Sequence, residues 1–127
     1  MIKTYKDLKV YQISYKLAMD IFRLSKSFPK EELYSLTDQI RRSSRSVCLN
    51  LREAWAKRRY EAHFVNKLTD CDGENSETDS SVDFARDCGY ITNEEYNLFT
   101  AQIIEIGKML GSMINNPKSF LLINSNK

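Results

Sequence analysis

Leu8, Tyr11, Tyr15, Ala18, Phe22 and Ser25 recur at three- and four-residue steps, the stripe of a half-buried helix, and Ile21 and Leu24 widen it. The pattern predicts a first helix from about Asp7 to Ser27. Asp7 is placed to cap its first turn. Phe28-Pro29 ends it, because a residue before proline is steered away from helical dihedrals. Phe22 and Tyr15 are expected in the core. Tyr5 and Tyr11, near the helix start, are candidates for a contact between subunits.

A second, long helix is predicted from near Lys30 to about Arg58. Pro29 suits its start, and Glu31 and Glu32 suit its positive end. Its apolar positions are Leu33, Leu36, Ile40, Val47, Cys48, Leu51, Ala54 and Trp55. Ser43 and Ser44 fall where that stripe passes, so the face is narrow there and lets another helix come close. A third helix should run from Tyr60 or Glu61 to Cys88, with Phe64, Leu68, Cys71, Val82 and Ala85 inward and Val65 and Phe84 flanking. Its middle, from Asp70 to Ser81, is polar and contains Gly73. No proline or turn dipeptide interrupts it, so one continuous helix is expected.

Gly89 is the predicted stop. Thr92 with Glu95 three residues later is a capping box, and the fourth helix then continues through Tyr96, Phe99, Ile103, Ile106, Leu110 and Met113 to about Asn115. Asn116-Pro117 terminates it. Four amphipathic helices joined by short turns bury their stripes best as an all-α, antiparallel up-down-up-down four-helix bundle. Residues 1–116 form the expected bundle and 117–127 a tail, whose apolar run Phe120-Leu121-Leu122-Ile123 can dock on the bundle or on a neighbouring subunit.

Composition narrows the class. At 127 residues with 42% hydrophobic and 28% charged positions, the chain fits one soluble domain. No apolar run approaches membrane-spanning length, and the first residues lack the apolar core of a signal peptide. Cys48, Cys71 and Cys88 are odd in number and widely spaced. They are expected to be reduced, small hydrophobic residues in a cytosolic protein.

Catalytic chemistry finds little support. The one histidine, His63, stands at a helix start, and no phosphate loop, nucleophile elbow or paired metal-binding histidine occurs. Asp70, Glu74 and Glu77 share a face, as do Asp79 and Asp83. A di-iron bundle, however, needs two Glu-x-x-His pairs, which one histidine cannot supply. No enzyme, cofactor or metal is therefore expected.

Charge is distributed unevenly. Arg41, Arg42, Arg45, Arg52, Lys57, Arg58 and Arg59 oppose a single acid, Glu53, a local net charge of +6. From Tyr60 to Cys88 the balance is −6. Arg41, Arg45 and Arg52 share one face of the second helix, and Tyr60 adds an aromatic beside the terminal bases. Such a stripe can contact RNA or DNA phosphates, with Tyr60 stacking on an unpaired base. The competing expectation is a protein-interaction scaffold, in which the arginines pair with carboxylates of the third helix.

Tyr5-Lys6-Asp7-Leu8-Lys9-Val10-Tyr11, Phe28-Pro29 with Glu31-Glu32, Leu36-Thr37-Asp38-Gln39-Ile40-Arg41-Arg42-Ser43-Ser44 and Cys88-Gly89-Tyr90-Ile91 together carry a resemblance. Over roughly Lys3 to Met113 the chain resembles the four-helix bundle proteins encoded in intervening sequences of bacterial 23S rRNA genes. That resemblance implies a left-handed bundle assembling as a ring-like homopentamer without enzymatic activity. It also implies a distant likeness to the accessory bundle proteins of diversity-generating retroelements, which bind a reverse transcriptase and nucleic acid. Members commonly carry a proline and a glycine around Ser46 to Trp55, where this chain has neither, so any function tied to a kink there does not carry over.

Overall fold

A computed structural model describes residues 1–122; Ile123 of the apolar run and the rest of the expected tail lie outside the described residues. Four α-helices carry the chain: α1 (Lys9–Ser25), α2 (Leu36–Ala56), α3 (Glu61–Asp87) and α4 (Asn93–Asn115). Three short 3-10 turns, Tyr5–Asp7, Lys30–Glu32 and Pro117–Phe120, punctuate them. No strand occurs among the described residues.

Each helix packs on two others. α2 lies against α1 and α3, and α4 against α3 and α1. Side-chain pairs fix the register. Ser43 and Thr78 share a hydrogen bond of 2.8 Å, the Cys71 thiol points at the Val47 carbonyl at 3.6 Å, and Glu53 meets Lys67 at 2.7 Å. Between α3 and α4, the Asn75 amide donates to the Ile103 carbonyl at 3.0 Å and Tyr96 donates to Asp83 at 2.8 Å. Between them sits a core of Leu17, Ile21, Ile40, Val47, Leu51, Phe64, Leu68, Val82, Ile106 and Leu110.

Local capping follows the sequence at α4 and departs from it elsewhere. Thr92 accepts from the Glu95 amide at 3.0 Å, and Glu95 accepts in return from the Thr92 amide at 2.8 Å. Gly89 closes α3 with φ +80, where a side chain would be strained. The Tyr90 amide bonds the Ala85 carbonyl and the Gly89 amide the Arg86 carbonyl, the Schellman pattern that satisfies the last turn. Asp7, by contrast, does not cap α1. Its carboxylate reaches back to the amides of Lys3 and Thr4, so the capping box encloses the preceding 3-10 turn. Those two amides hold the Asp7 carboxyl below its ordinary pKa.

α2 also begins six residues later than the charge pattern suggests. Residues Lys30–Glu32 form a 3-10 turn, and the Glu32 carboxylate accepts from Ser35 at 2.7 Å and from the Leu36 amide at 3.3 Å. Glu32 thus acts from outside as the cap of α2, and Tyr90 donates to its other oxygen at 2.8 Å. The helix ends at Ala56, so Lys57, Arg58 and Arg59 stand in the turn before α3.

The inward face of α1 differs from the aromatic stripe. Val10, Ser14, Leu17, Ala18, Ile21 and Ser25 are buried, whereas Tyr15 is 54% exposed and Phe22 half-buried. Ser14, outside the predicted stripe, is buried, while Ser25 is buried as the stripe predicts. Leu33, expected in the α2 stripe, is likewise exposed.

α3 is continuous through its polar middle because Asn75, Thr78 and Ser81 point inward. Gly73 lies on the exposed side, and a Cβ added there meets nothing within 4 Å. Gly73→Ala is therefore expected to raise the unfolding free energy by about 1 kcal/mol, measured by urea denaturation, since alanine costs less backbone entropy in a helix.

Cys48 and Cys71 are buried, and their thiols are pushed up to about 12 by desolvation, while Cys88 is exposed beyond the end of α3. A thiolate is the reactive form. At pH 8 an alkylating reagent should label Cys88 in the native protein, and reach Cys48 and Cys71 only on unfolding, as mass spectrometry would record.

Candidate nucleic-acid interface

α2 offers a base at Arg41, Arg45 and Arg52 on the side that packs against α1, and three more in the turn that follows. Arg41 lies over the Phe22 ring, 4.9 Å from its centroid, and its Nε donates to Ser25 Oγ at 2.8 Å. Arg45 lies over the same ring at 5.4 Å, and Arg52 over Tyr5 at 4.4 Å. Phe22, which the periodicity assigns to the core, and Tyr5 of the turn before α1 thus form a floor beneath guanidinium groups. Such cation–π contacts hold a guanidinium in place without neutralising it, at about 0.5–1 kcal/mol each when exposed.

Among the described residues the alternative, salt bridges from these arginines to the carboxylates of α3, is not formed. Among the described residues, Arg41, Arg45, Arg52, Lys57, Arg58 and Arg59 have no carboxylate within 4.0 Å. Arg42 reaches Asp38 of its own helix at 3.8 Å, with both side chains largely exposed, where an ion pair contributes little. The α2–α3 pair that does form has the opposite polarity: Glu53 from the basic segment meets Lys67 from the acidic one, and Lys67 also reaches Asp70 at 3.2 Å. The Lys67 hydrogen bond holds the Glu53 carboxyl below its usual range.

The acids of α3 consequently stay on their own surface. Desolvation, with Glu77 nearby, raises the Glu74 pKa, and desolvation with Asp83 nearby raises that of Asp79. Arg42 lies near Glu74 and acts against its shift, without forming a salt bridge with it among the described residues. Among the described residues no three His, Cys, Asp or Glu side chains form a group that could hold a metal ion.

Arg58 has a structural task. Its Nε donates to the Trp55 carbonyl at 2.7 Å, its guanidinium lies 3.5 Å from the Trp55 ring centroid, and its own carbonyl accepts from the Leu122 amide at 3.1 Å. It fastens the C-terminal turn, where Phe120 meets Phe64 at 6.2 Å between centroids. Burial lowers the Arg58 pKa. Lys57 and Arg59 are exposed, and Tyr60 is exposed with its ring edge-on to His63 at 5.3 Å. Arg41 and Arg52 are separated by about 16 Å along α2 at helical rise, so the basic side chains are strung along the helix rather than gathered at one point.

Tyr5 and Tyr11 are half-buried against the chain's own core and meet edge-to-face at 5.0 Å. No helix among the described residues is long and apolar enough to cross a membrane.

The family model described as 23S rRNA-intervening sequence protein matches residues 6–112. The chain belongs to that family. A crystal structure of a protein with unknown function from the S23 ribosomal protein family of Bacteroides thetaiotaomicron is similar to it, with 32% identity and a TM-score of 0.76. The alignment covers 84% of this chain and 96% of that one. No curated protein matches the chain. Neither likeness brings an enzymatic family with it.

Proposed function

We propose that this protein is a non-enzymatic, self-associating helical module of the cytoplasm that holds RNA by its phosphates through the arginine side of α2. One observation carries the reading: Arg41, Arg45 and Arg52 lie over aromatic rings of α1 and the turn before it, and are matched by no carboxylate among the described residues. A cation that is oriented but not neutralised can exchange its counterions for nucleic-acid phosphate. Lys57, Arg59 and Tyr60 extend the surface at the far end of α2, and Arg42 borders it. The family description names 23S rRNA, an RNA context that agrees with this reading.

The helix pairings favour the antiparallel up-down-up-down order, since partners rising along one helix descend along the next. A ring-like homopentamer, with the exposed parts of Tyr5 and Tyr11 at subunit contacts, would repeat the arginine surface around one particle and strengthen its collective field. DNA would be held by the same phosphate contacts, more weakly if the 2′-hydroxyl contributes.

Polarisation of a labelled structured RNA at low and moderate salt tests the reading. Binding at low salt that weakens steeply as salt rises is expected. Absence of binding at low salt ends the nucleic-acid reading and leaves a protein-interaction scaffold.

A further inference from the structure

From the groove beside the arginines we infer that the RNA is recognised where it is unpaired, with one base stacked on Tyr34. This rests on the phosphate-binding reading above and adds the kind of RNA. Tyr34 is 91% exposed, and its ring has no aromatic neighbour among the described residues. Its backbone is nonetheless anchored. Ser35 and the Leu36 amide are both tied to the Glu32 carboxylate, which Tyr90 pins from the α3–α4 turn. A ring presented to solvent from a fastened turn is ready to stack without first being ordered.

Its surroundings select the occupant. Tyr34 lines an open groove with Leu33, Leu49, Arg41, Arg42 and Arg45. Leu49 is 65% exposed, so three apolar side chains face water beside three guanidinium groups. Asp38 is the groove's acid, and it leaves the site net positive. A nucleotide has the matching halves: a flat apolar base and an anionic phosphate. In a duplex the bases are stacked on one another and present no face, whereas a loop or single strand presents both.

The test uses a labelled RNA hairpin with an unpaired loop and a blunt duplex with the same number of phosphates. The unmodified protein should prefer the hairpin. Tyr34→Ala should weaken hairpin binding about tenfold or more, the scale of one lost base–aromatic stack, and leave duplex binding unchanged. Tyr34→Phe, which keeps the ring, should retain hairpin binding. Equal binding of hairpin and duplex, or an equal effect of Tyr34→Ala on both, overturns the stacking site and leaves the phosphate reading standing. Failure to bind either RNA at low salt overturns both. Light scattering on Tyr34→Ala covers the remaining occupant: a changed particle mass would assign the ring to contact with a second copy of the chain, and overturn the inference.

Discussion

Phe64→Ala is expected to lower the unfolding free energy by about 3–5 kcal/mol, the range for truncating a fully buried phenylalanine. Phe64 is 1% exposed, sits in the core beside Leu68, and supports Phe120 from the C-terminal turn. Truncation therefore opens a cavity and releases the contact that holds the turn. A domain of this size has a total stability of about 5–15 kcal/mol, so the loss is a large share of it. Thermal melts should fall by about 10–20 °C. Phe84 on the same helix is the control. It is 64% exposed, and Phe84→Ala should change stability by about 0.5 kcal/mol or less. Equal losses from the two variants would contradict the assignment of α3's inner face.

The second large effect is on binding. Arg45→Glu combined with Arg52→Glu should weaken RNA affinity about a hundredfold or more, since two charged hydrogen bonds of about 1.5–3 kcal/mol each are replaced by repulsion. Stability should change by only about 1–2 kcal/mol, because what the fold loses is two exposed cation–π contacts with Phe22 and Tyr5. Polarisation and denaturation on the same sample separate the two quantities. A variant that binds RNA normally would show that these arginines are bystanders. One that unfolds would show that they hold α1 to α2.

The sequence was most informative where the signal is local. Thr92 with Glu95, and Gly89 ending α3, act within a few residues of themselves, and both appear in the structure as predicted. The α3 and α4 core stripes were legible because Phe64, Leu68, Ile103, Ile106 and Leu110 are large, aliphatic or aromatic, and regularly spaced. In α1 the same periodicity misled. Tyr15 and Phe22 have the size and spacing of core residues, yet Tyr15 is exposed and Phe22 half-buried, while the small Ser14 is buried. Residue type cannot tell a ring in the core from a ring beneath an arginine when the choice depends on where α2 crosses.

The site was legible in part for the same reason. The spacing of Arg41, Arg45 and Arg52 placed them on one helical face. Which neighbour that face meets is a matter of helix order and rotation, and it meets Phe22 of α1 and Tyr5 of the preceding turn rather than the acids of α3. The +6 and −6 segments are adjacent along the chain, yet among the described residues their one salt bridge is Glu53 with Lys67, each the minority charge of its segment. Nothing in the sequence context of Tyr34 marks it. Its exposure follows from the late start of α2 after Ser35, set by the Glu32 cap.

Arginine footprinting tests the central claim most directly. An arginine-selective reagent, applied with and without bound RNA and read by mass spectrometry, reports which guanidinium groups the RNA covers. Protection concentrated on Arg41, Arg42, Arg45 and Arg52, with Arg23 and Arg86 modified equally in both states, is the predicted result. Unchanged modification along α2 in the presence of bound RNA, or protection centred on Arg23 or Arg86, would contradict it.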